Sequence, residues 1–192
     1  MAGGGNMEAC IISSSPNTDG LTAACVEAVR AGLAAGGVGA TEVRLTEAGI
    51  GVCRQCGDGW GTCREGHTCQ VSDGFQAVHA RVRNAAALVL VTPVYWGDLS
   101  ESAKAFTDRL RRCEATLGEH STLAGTWFMG AAAAGGSGGG QISCLEQMER
   151  LLGHMRMKRW DLVSLCRWTR EAKLQAITAS ARTLAQAVNE ER

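Results

Sequence analysis

The sequence predicts an α/β domain built on a three-layer, doubly wound, five-stranded parallel sheet of order 2-1-3-4-5. Three observations predict it. Strand-like and helix-like segments alternate five times along the chain. Residues 87–92 (ALVLVT) form an unbroken apolar run, the pattern of a parallel strand buried on both faces. The chain has 192 residues, enough for one domain with a full core.

The elements follow in order. Residues 8–14 (EACIISS) read as a first strand that runs into a polar loop. Residues 19–33 carry Ala, Val and Leu at helical spacing, and Gly36, Gly37 and Gly39 end that helix. Residues 41–45 alternate as a second strand. Residues 73–84 form a helix with Phe75, Val78 and Val82 on one face, leading into the strand at 87–92. Ser100 is the N-cap of a helix reaching about Leu117. A fourth strand ends at 126–129, and residues 131–140 read as a small-residue loop. A helix at 141–155, a strand at 160–165 and an alanine-rich helix at 169–189 complete the pattern. Parallel neighbours need crossover helices, and right-handed crossovers wind helices onto both faces. With no repeat and no linker, the reading is one domain over 1–192 with a Cys-rich insertion at about 49–70.

Composition narrows the functional classes. Apolar residues make up 45% and charged residues 20%, and nineteen basic side chains balance nineteen acidic ones. A chain of zero net charge has no overall field to draw in nucleic acid or an anionic membrane. The longest apolar run, 85–91, falls far short of the roughly 20 residues of a membrane helix. Residues 1–6 are glycine-rich without a basic-plus-apolar signal pattern, so a cytoplasmic protein with a short disordered lead is expected. Nine cysteines in such a chain point to metal ligands, redox groups or buried thiols rather than disulfides.

Two loops stand out. Ser13-Ser14-Ser15-Pro16-Asn17-Thr18-Asp19-Gly20-Leu21-Thr22 joins the first strand to the first helix. Hydroxyls and unpaired N–H groups gather there at a positive dipole end, which suits a phosphate; the same residues would also serve as ordinary caps. Thr92-Pro93-Val94-Tyr95-Trp96-Gly97 follows the most buried strand at the carboxyl edge, beside the first strand, where doubly wound sheets bind ligands. Tyr95, the one tyrosine, beside Trp96 reads as a wall for a flat ring, or as a pair of packing anchors.

With these residues in view, the chain resembles the flavodoxin-like NAD(P)H-dependent FMN reductases, and among them the iron–sulfur flavoproteins. Ser14-Ser15-Pro16-Asn17…Gly20-Leu21-Thr22 is similar to the family's Gly-Ser-Pro-Arg-x-x-Gly-Asn-Thr phosphate loop. Thr92-Pro93-Val94-Tyr95-Trp96-Gly97 with Lys104-Ala105-Phe106-Thr107-Asp108-Arg109 is similar to its Ser/Thr-Pro-Val-Tyr…Lys-x-Phe-x-Asp-Arg segment. The resemblance implies an FMN-dependent oxidoreductase fed by NADH or NADPH, acting on a small organic acceptor or a redox protein, as a homodimer or homotetramer. It implies that Ser13, Ser15, Asn17, Gly20 and Thr22 hold the FMN phosphate, and that Pro93, Val94, Tyr95, Trp96 and Gly97 line the ring. Asn17 stands where the family often has arginine and Leu21 where it often has asparagine. A non-enzymatic flavin and iron–sulfur electron carrier is the first alternative; a zinc-stabilised binding module is the second.

The segment Cys53-Arg54-Gln55-Cys56…Cys63…Cys69 can surround one metal centre, and sulfur ligation means zinc or iron–sulfur. The iron–sulfur flavoproteins carry Cys-x2-Cys-x2-Cys followed by a fourth cysteine, which implies Cys53, Cys56, Cys63 and Cys69 as ligands of a [4Fe–4S] cluster. The family's third position falls on Gly59, and Cys63 comes four residues later. Zinc, with His67 as a substitute ligand, and a metal-free loop are the other readings. The remaining cysteines, Cys10, Cys25, Cys113, Cys144 and Cys166, read as small buried hydrophobes.

Gly135 and Gly136 open the glycine loop after the fourth strand. It lacks a Gly-x-Gly-x-x-Gly fingerprint, but its place suggests bare backbone beside the ring or a flexible connection. Asp108, Arg109, Arg111, Arg112 and Glu114 read as a solvated helix face, with Arg109 pairing with Asp108 or capping a loop. No Ser-His-Asp or paired-carboxylate pattern marks a hydrolase.

Overall fold

The computed structural model describes residues 8–136 and 138–191. The lead at 1–6 lies outside them.

The sheet has five parallel strands, β1 (Glu8–Ser13), β2 (Gly39–Arg44), β3 (Ala87–Pro93), β4 (Trp127–Ala134) and β5 (Lys158–Cys166), in the order β2-β1-β3-β4-β5. This is the flavodoxin-like order the alternation predicts. Strands β1, β3 and β4 are buried almost throughout, while the edge strands β2 and β5 are only partly covered. Central parallel strands have helices on both faces, so both sides of each must be apolar.

Helices α1 (Leu21–Ala35) and α6 (Arg170–Glu190) cover one face. Their contact is close because Gly32 of α1 has no side chain: a Cβ there would lie 2.3 Å from the Thr178 carbonyl. Ile11, Val29, Val89, Met129 and Leu184 fill the core beneath them. Helices α3 (Phe75–Arg83), α4 (Glu101–Glu114) and α5 (Gln141–His154) cover the other face, over Ile12, Phe75, Leu90, Phe106 and Met148. The one-turn α2 (Cys56–Gly59) lies within the long connection between β2 and α3. Among the described residues no helix is long and apolar enough to cross a membrane.

Two boundaries differ from the sequence reading. Ala131–Ala134 belongs to β4, not to the following loop. Alanine gives little apolar signal, yet all four are buried beneath helices that approach closely. The helix from Ser100 ends at Glu114 and continues as a 3-10 turn, Ala115–His120, broken by Gly118 at φ 57°. In parallel register the carboxyl ends of β1, β3, β4 and β5 gather their loops along one edge.

Candidate functional site

The loop after β1 is built inward from three buried serines. Ser13 donates its hydroxyl to Glu42 Oε1 of β2 (2.7 Å), and Arg30 pairs with the other oxygen of Glu42 (3.0 Å). Ser14 ties the loop to its neighbour. Ser100, the N-cap of α4, donates to the Ser14 carbonyl (3.3 Å) and to Ser14 Oγ (2.9 Å). The Ser100 N–H in turn donates to Thr92 Oγ1 at the end of β3 (3.2 Å). The loops on either side of the β1–β3 switch point are thereby joined through buried hydroxyls. Ser15 Oγ accepts from the Asn17 N–H (3.2 Å), bending the chain toward α1. Gly20 caps α1 without a side-chain acceptor, and the first turn holds no acidic residue. The first N–H groups of a helix so begun suit an anion. Ser13, Ser15, Asn17, Thr18 and Thr22 line one pocket together with Arg44, whose cation the sequence reading missed. Glu27 and Glu42 line it too, and Arg44 pairs with Glu47 (3.2 Å); the donors that suit a phosphate are those of Ser15, Asn17 and Thr22 at the start of α1. Ser13 is the exception among the expected contacts, because its hydroxyl is engaged by Glu42.

The loop after β3 is a two-residue reversal. The Tyr95 and Asp98 backbones exchange N–H···O bonds of 3.0 and 2.9 Å. Between them Trp96 and Gly97 both adopt positive φ, 53° and 79°, as the tight hairpin turn demands. Trp96 is fully exposed and Tyr95 half-exposed. An indole held out in water on a left-handed backbone is a strained arrangement, and such strain gathers at ligand sites. The Val94 N–H donates to the Ala133 carbonyl (3.0 Å), which fixes the loop to β4. On its other side Gly97 meets Gly140: a Cβ on Gly140 would lie 2.6 Å from Gly97 Cα and 2.9 Å from its nitrogen.

That contact also orders part of the glycine loop. Gly138 sits beside Cys166 at the end of β5, and its carbonyl accepts from Gln141 Nε2 (2.7 Å). Gly135 and Gly136 lie open at the edge, with no atom within 4 Å of where their Cβ atoms would be. Cys166 departs from the expected inert thiol, since hydrogen bonding with Thr169 and neighbouring N–H groups draws it below the usual thiol range. Cys10, Cys25 and Cys144 are inert as expected: burial pushes their thiols up to about 11, 12 and 12.

The cysteine segment has little regular structure. Local bonds shape it: Thr62 N–H to Gln70 Oε1 (3.1 Å) and Gly66 N–H to the Thr62 carbonyl (2.8 Å). Cys53, Cys56, Cys63 and Cys69 are all partly buried and line one pocket. A fifth thiol, Cys113 of α4, lines it too; burial and the nearby Cys69 and Cys63 push that thiol up to about 12. Among the described residues no three His, Cys, Asp or Glu side chains stand close enough to grip a single metal ion. The four predicted ligands thus share a pocket but do not form an assembled ion site. In donor chemistry, thiols that share one pocket suit a sulfur-ligated group. His67 does not join it; its Nδ1 lies 3.1 Å from Thr116 Oγ1.

The expected solvated face of α4 is corrected in two places. Arg109 is 1% exposed and forms a two-pronged ion pair with Asp73 (2.6 and 2.9 Å), while Asp108 pairs with Lys104. Chiefly the Arg109 hydrogen bond lowers the Asp73 carboxyl to about 2. Glu114 is fully buried; burial opposes its charge, but hydrogen bonds from His79 (2.5 Å) and Ser121, with the nearby Arg83, hold it below the usual range. That satisfied network lies away from the carboxyl-edge loops and locks α3 to α4.

Comparison with known proteins places the chain in a family and a fold. The family model for NADPH-dependent FMN reductase matches residues 7–162. An iron–sulfur flavoprotein of Methanocaldococcus jannaschii is 26% identical over 125 residues, 65% of this chain and 63% of that protein's length. Among solved structures, an NAD(P)H:quinone oxidoreductase from Methanothermobacter marburgensis superposes with TM-score 0.71 at 18% identity, covering 94% of this chain and 96% of the other. A WrbA-like flavodoxin from Agrobacterium tumefaciens gives 0.65 at 17% identity, covering 97% and 99%.

Proposed function

Because this chain belongs to the NADPH-dependent FMN reductase family, we propose that it takes electrons from NAD(P)H through FMN held at the carboxyl edge. It passes them to a small organic acceptor or a redox protein; Cys53, Cys56, Cys63 and Cys69 would hold a [4Fe–4S] cluster, which would supply single-electron chemistry when bound. The observation that carries this reading is the joining of two loops at the β1–β3 switch point through Ser14 and Ser100.

The flavin, when bound, supplies hydride acceptance and one- or two-electron chemistry, so no side chain need act as acid or base. The protein supplies position. Ser15, Asn17, Thr22 and the first-turn N–H groups of α1 hold the phosphate. Arg44, paired with Glu47 (3.2 Å), is the cation at the same pocket. Val94, Tyr95, Trp96 and Gly97 support the ring, and the exposed backbone at Gly135 and Gly136 leaves its outer side open to substrate. A second copy of the chain is the partner we assign to the protruding Tyr95 and Trp96, in a homodimer or homotetramer. The cluster reading is supported by five thiols on one pocket and by the iron–sulfur flavoprotein relative.

The test is protein purified without oxygen, with its visible spectrum, iron and sulfide content, and NADPH oxidation recorded together. Flavin bands, about four irons per chain and steady NADPH turnover are expected. Yellow protein without iron removes the cluster and leaves the reductase. Flavin without turnover in the absence of a partner points to an electron carrier. Colourless protein that gains nothing from added FMN overturns the reading.

A further inference from the structure

We propose that Arg109 is the positioning residue of the cysteine pocket. Its guanidinium holds residues 51–73 in the shape that receives an anionic, thiolate-bound group, and with Arg112 it supplies that group's counter-charge. This rests on the reading of the pocket as a thiolate site.

The guanidinium reaches both ends of the segment at once. Nη1 donates to the Gly51 carbonyl (3.0 Å) at its start and to Asp73 Oδ2 (2.6 Å) at its end. Nη2 donates to Asp73 Oδ1 (2.9 Å), to the Val71 carbonyl (3.4 Å) and to Cys69 Sγ (3.3 Å). The plane of the group is backed by Phe75, whose ring centre is 4.4 Å away. A planar fork can satisfy this many acceptors in fixed directions; a lysine ammonium cannot. Gln76 of α3 also donates to the Cys69 and Val71 carbonyls, and His67 meets Thr116, but of these side chains only Arg109 reaches both ends of the segment.

Charge carries the second half. The positive charge of Arg109 is matched by Asp73. Arg112 has no acidic partner among the described residues; it donates to the Gly59 carbonyl and lies 4.2 Å over the Trp60 ring. Both arginines line the thiol pocket, and the Nε of each is buried with no acceptor. A buried donor left unmet is costly, and native structures rarely tolerate it. These two donors leave the pocket short of acceptors, and the unpaired Arg112 leaves it short of negative charge. A cluster ligated by four thiolates carries that charge, and N–H groups directed at its sulfurs raise its potential.

The experiment uses the full chain with FMN bound and four variants: Arg109→Gln, Arg109→Lys, Arg112→Gln and Asp73→Asn. In metal-free protein the rate of iodoacetamide labelling is followed at Cys53, Cys56, Cys63 and Cys69. Arg109→Gln and Arg109→Lys are expected to raise it at least about tenfold, because either change dissolves the fork that holds Gly51, Val71 and Cys69 together with Asp73. Arg112→Gln is expected to change it less than about twofold, since it touches only an inner turn. After reconstitution with iron and sulfide, Arg112→Gln keeps the wild-type iron content with a more negative midpoint potential, which a purely structural role would not move. Wild-type labelling rates in Arg109→Gln overturn the positioning claim, and an unchanged potential in Arg112→Gln overturns the counter-charge claim. Should Arg109→Gln lose FMN and fail to fold, Asp73→Asn cuts the same tie from the segment side, and its labelling rate decides. A wild-type chain that takes up no iron overturns the cluster reading and the counter-charge with it, while labelling still decides positioning.

Discussion

The N-terminus and the middle of α4 hold two candidate sites by opposite means. At its N-terminus, Ser100 meets Ser14 through short, neutral hydrogen bonds, and the neighbouring turn rests on α5 through bare backbone at Gly97 and Gly140. Nine residues on, a buried guanidinium reaches out to an irregular segment and holds it by charge-assisted bonds. Loops that leave adjacent parallel strands arrive already close, so small side chains suffice to join them. A long connection without periodicity has no such register, and far-reaching side chains, Arg109 foremost, supply it. The cost of breakage should differ accordingly.

The largest effect is expected at the glycine contact. Gly140→Ala places a methyl inside the Gly97 backbone on a left-handed φ of 79°. A loss of about 2–4 kcal/mol in denaturant unfolding, with FMN binding abolished in fluorescence titration, is expected. Wild-type values for both would show that backbone contact is not what holds the ring loop. Ser100→Ala is next. It removes the α4 cap and both bonds to Ser14, for about 1–3 kcal/mol and weaker FMN binding. Labelling of the cysteine segment should not change; if it rises, the N-terminus and the middle of α4 are not independent.

The smallest effect is electrostatic. The Asp73 carboxyl is lowered to about 2 by Arg109, whereas an ordinary aspartate titrates near 4. A folded-state value below the unfolded one stabilises above the unfolded pKa, and that stability disappears as pH falls through the folded pKa. The pair therefore contributes fully above about pH 4 and fades toward pH 2, by about 1–2 kcal/mol. Proteolysis of residues 51–73 should accelerate across that window, and Asp73→Asn should flatten the profile. A profile unchanged by Asp73→Asn would assign the acid sensitivity elsewhere.

Much of this was legible in the sequence. The run at 87–92 located the central strand, and the two loops beside it located the candidate flavin edge. What escaped was either too weak in pattern or too distant in sequence. Ala131–Ala134 was missed because alanine barely registers as apolar, even in the middle of a sheet. Arg109 left a signal: it lies three residues after Phe106 and four before Cys113, within the buried stripe of α4. A cation on that stripe needs a buried partner, but nothing local says that the partner is Asp73, 36 residues away. His79 falls on the α3 stripe of Phe75, Val78 and Val82 in the same way, and Glu114 answers it from 35 residues on. Ser14, placed inside the phosphate loop by its spacing, serves as the strut between loops instead.

Helix α4 has a consequence for how this protein can change over generations. It acts as a ruler, with a rise of about 1.5 Å per residue fixing the span from Ser100 to Arg109 at about 13 Å. Insertions or deletions among residues 53–69 leave that span untouched, so the cysteine spacing can change without moving the guanidinium. One residue added between Ser100 and Arg109 would swing the guanidinium about 100° away from the segment. The tolerance for length lies in the loop that carries the thiols, and the intolerance in the helix beneath it.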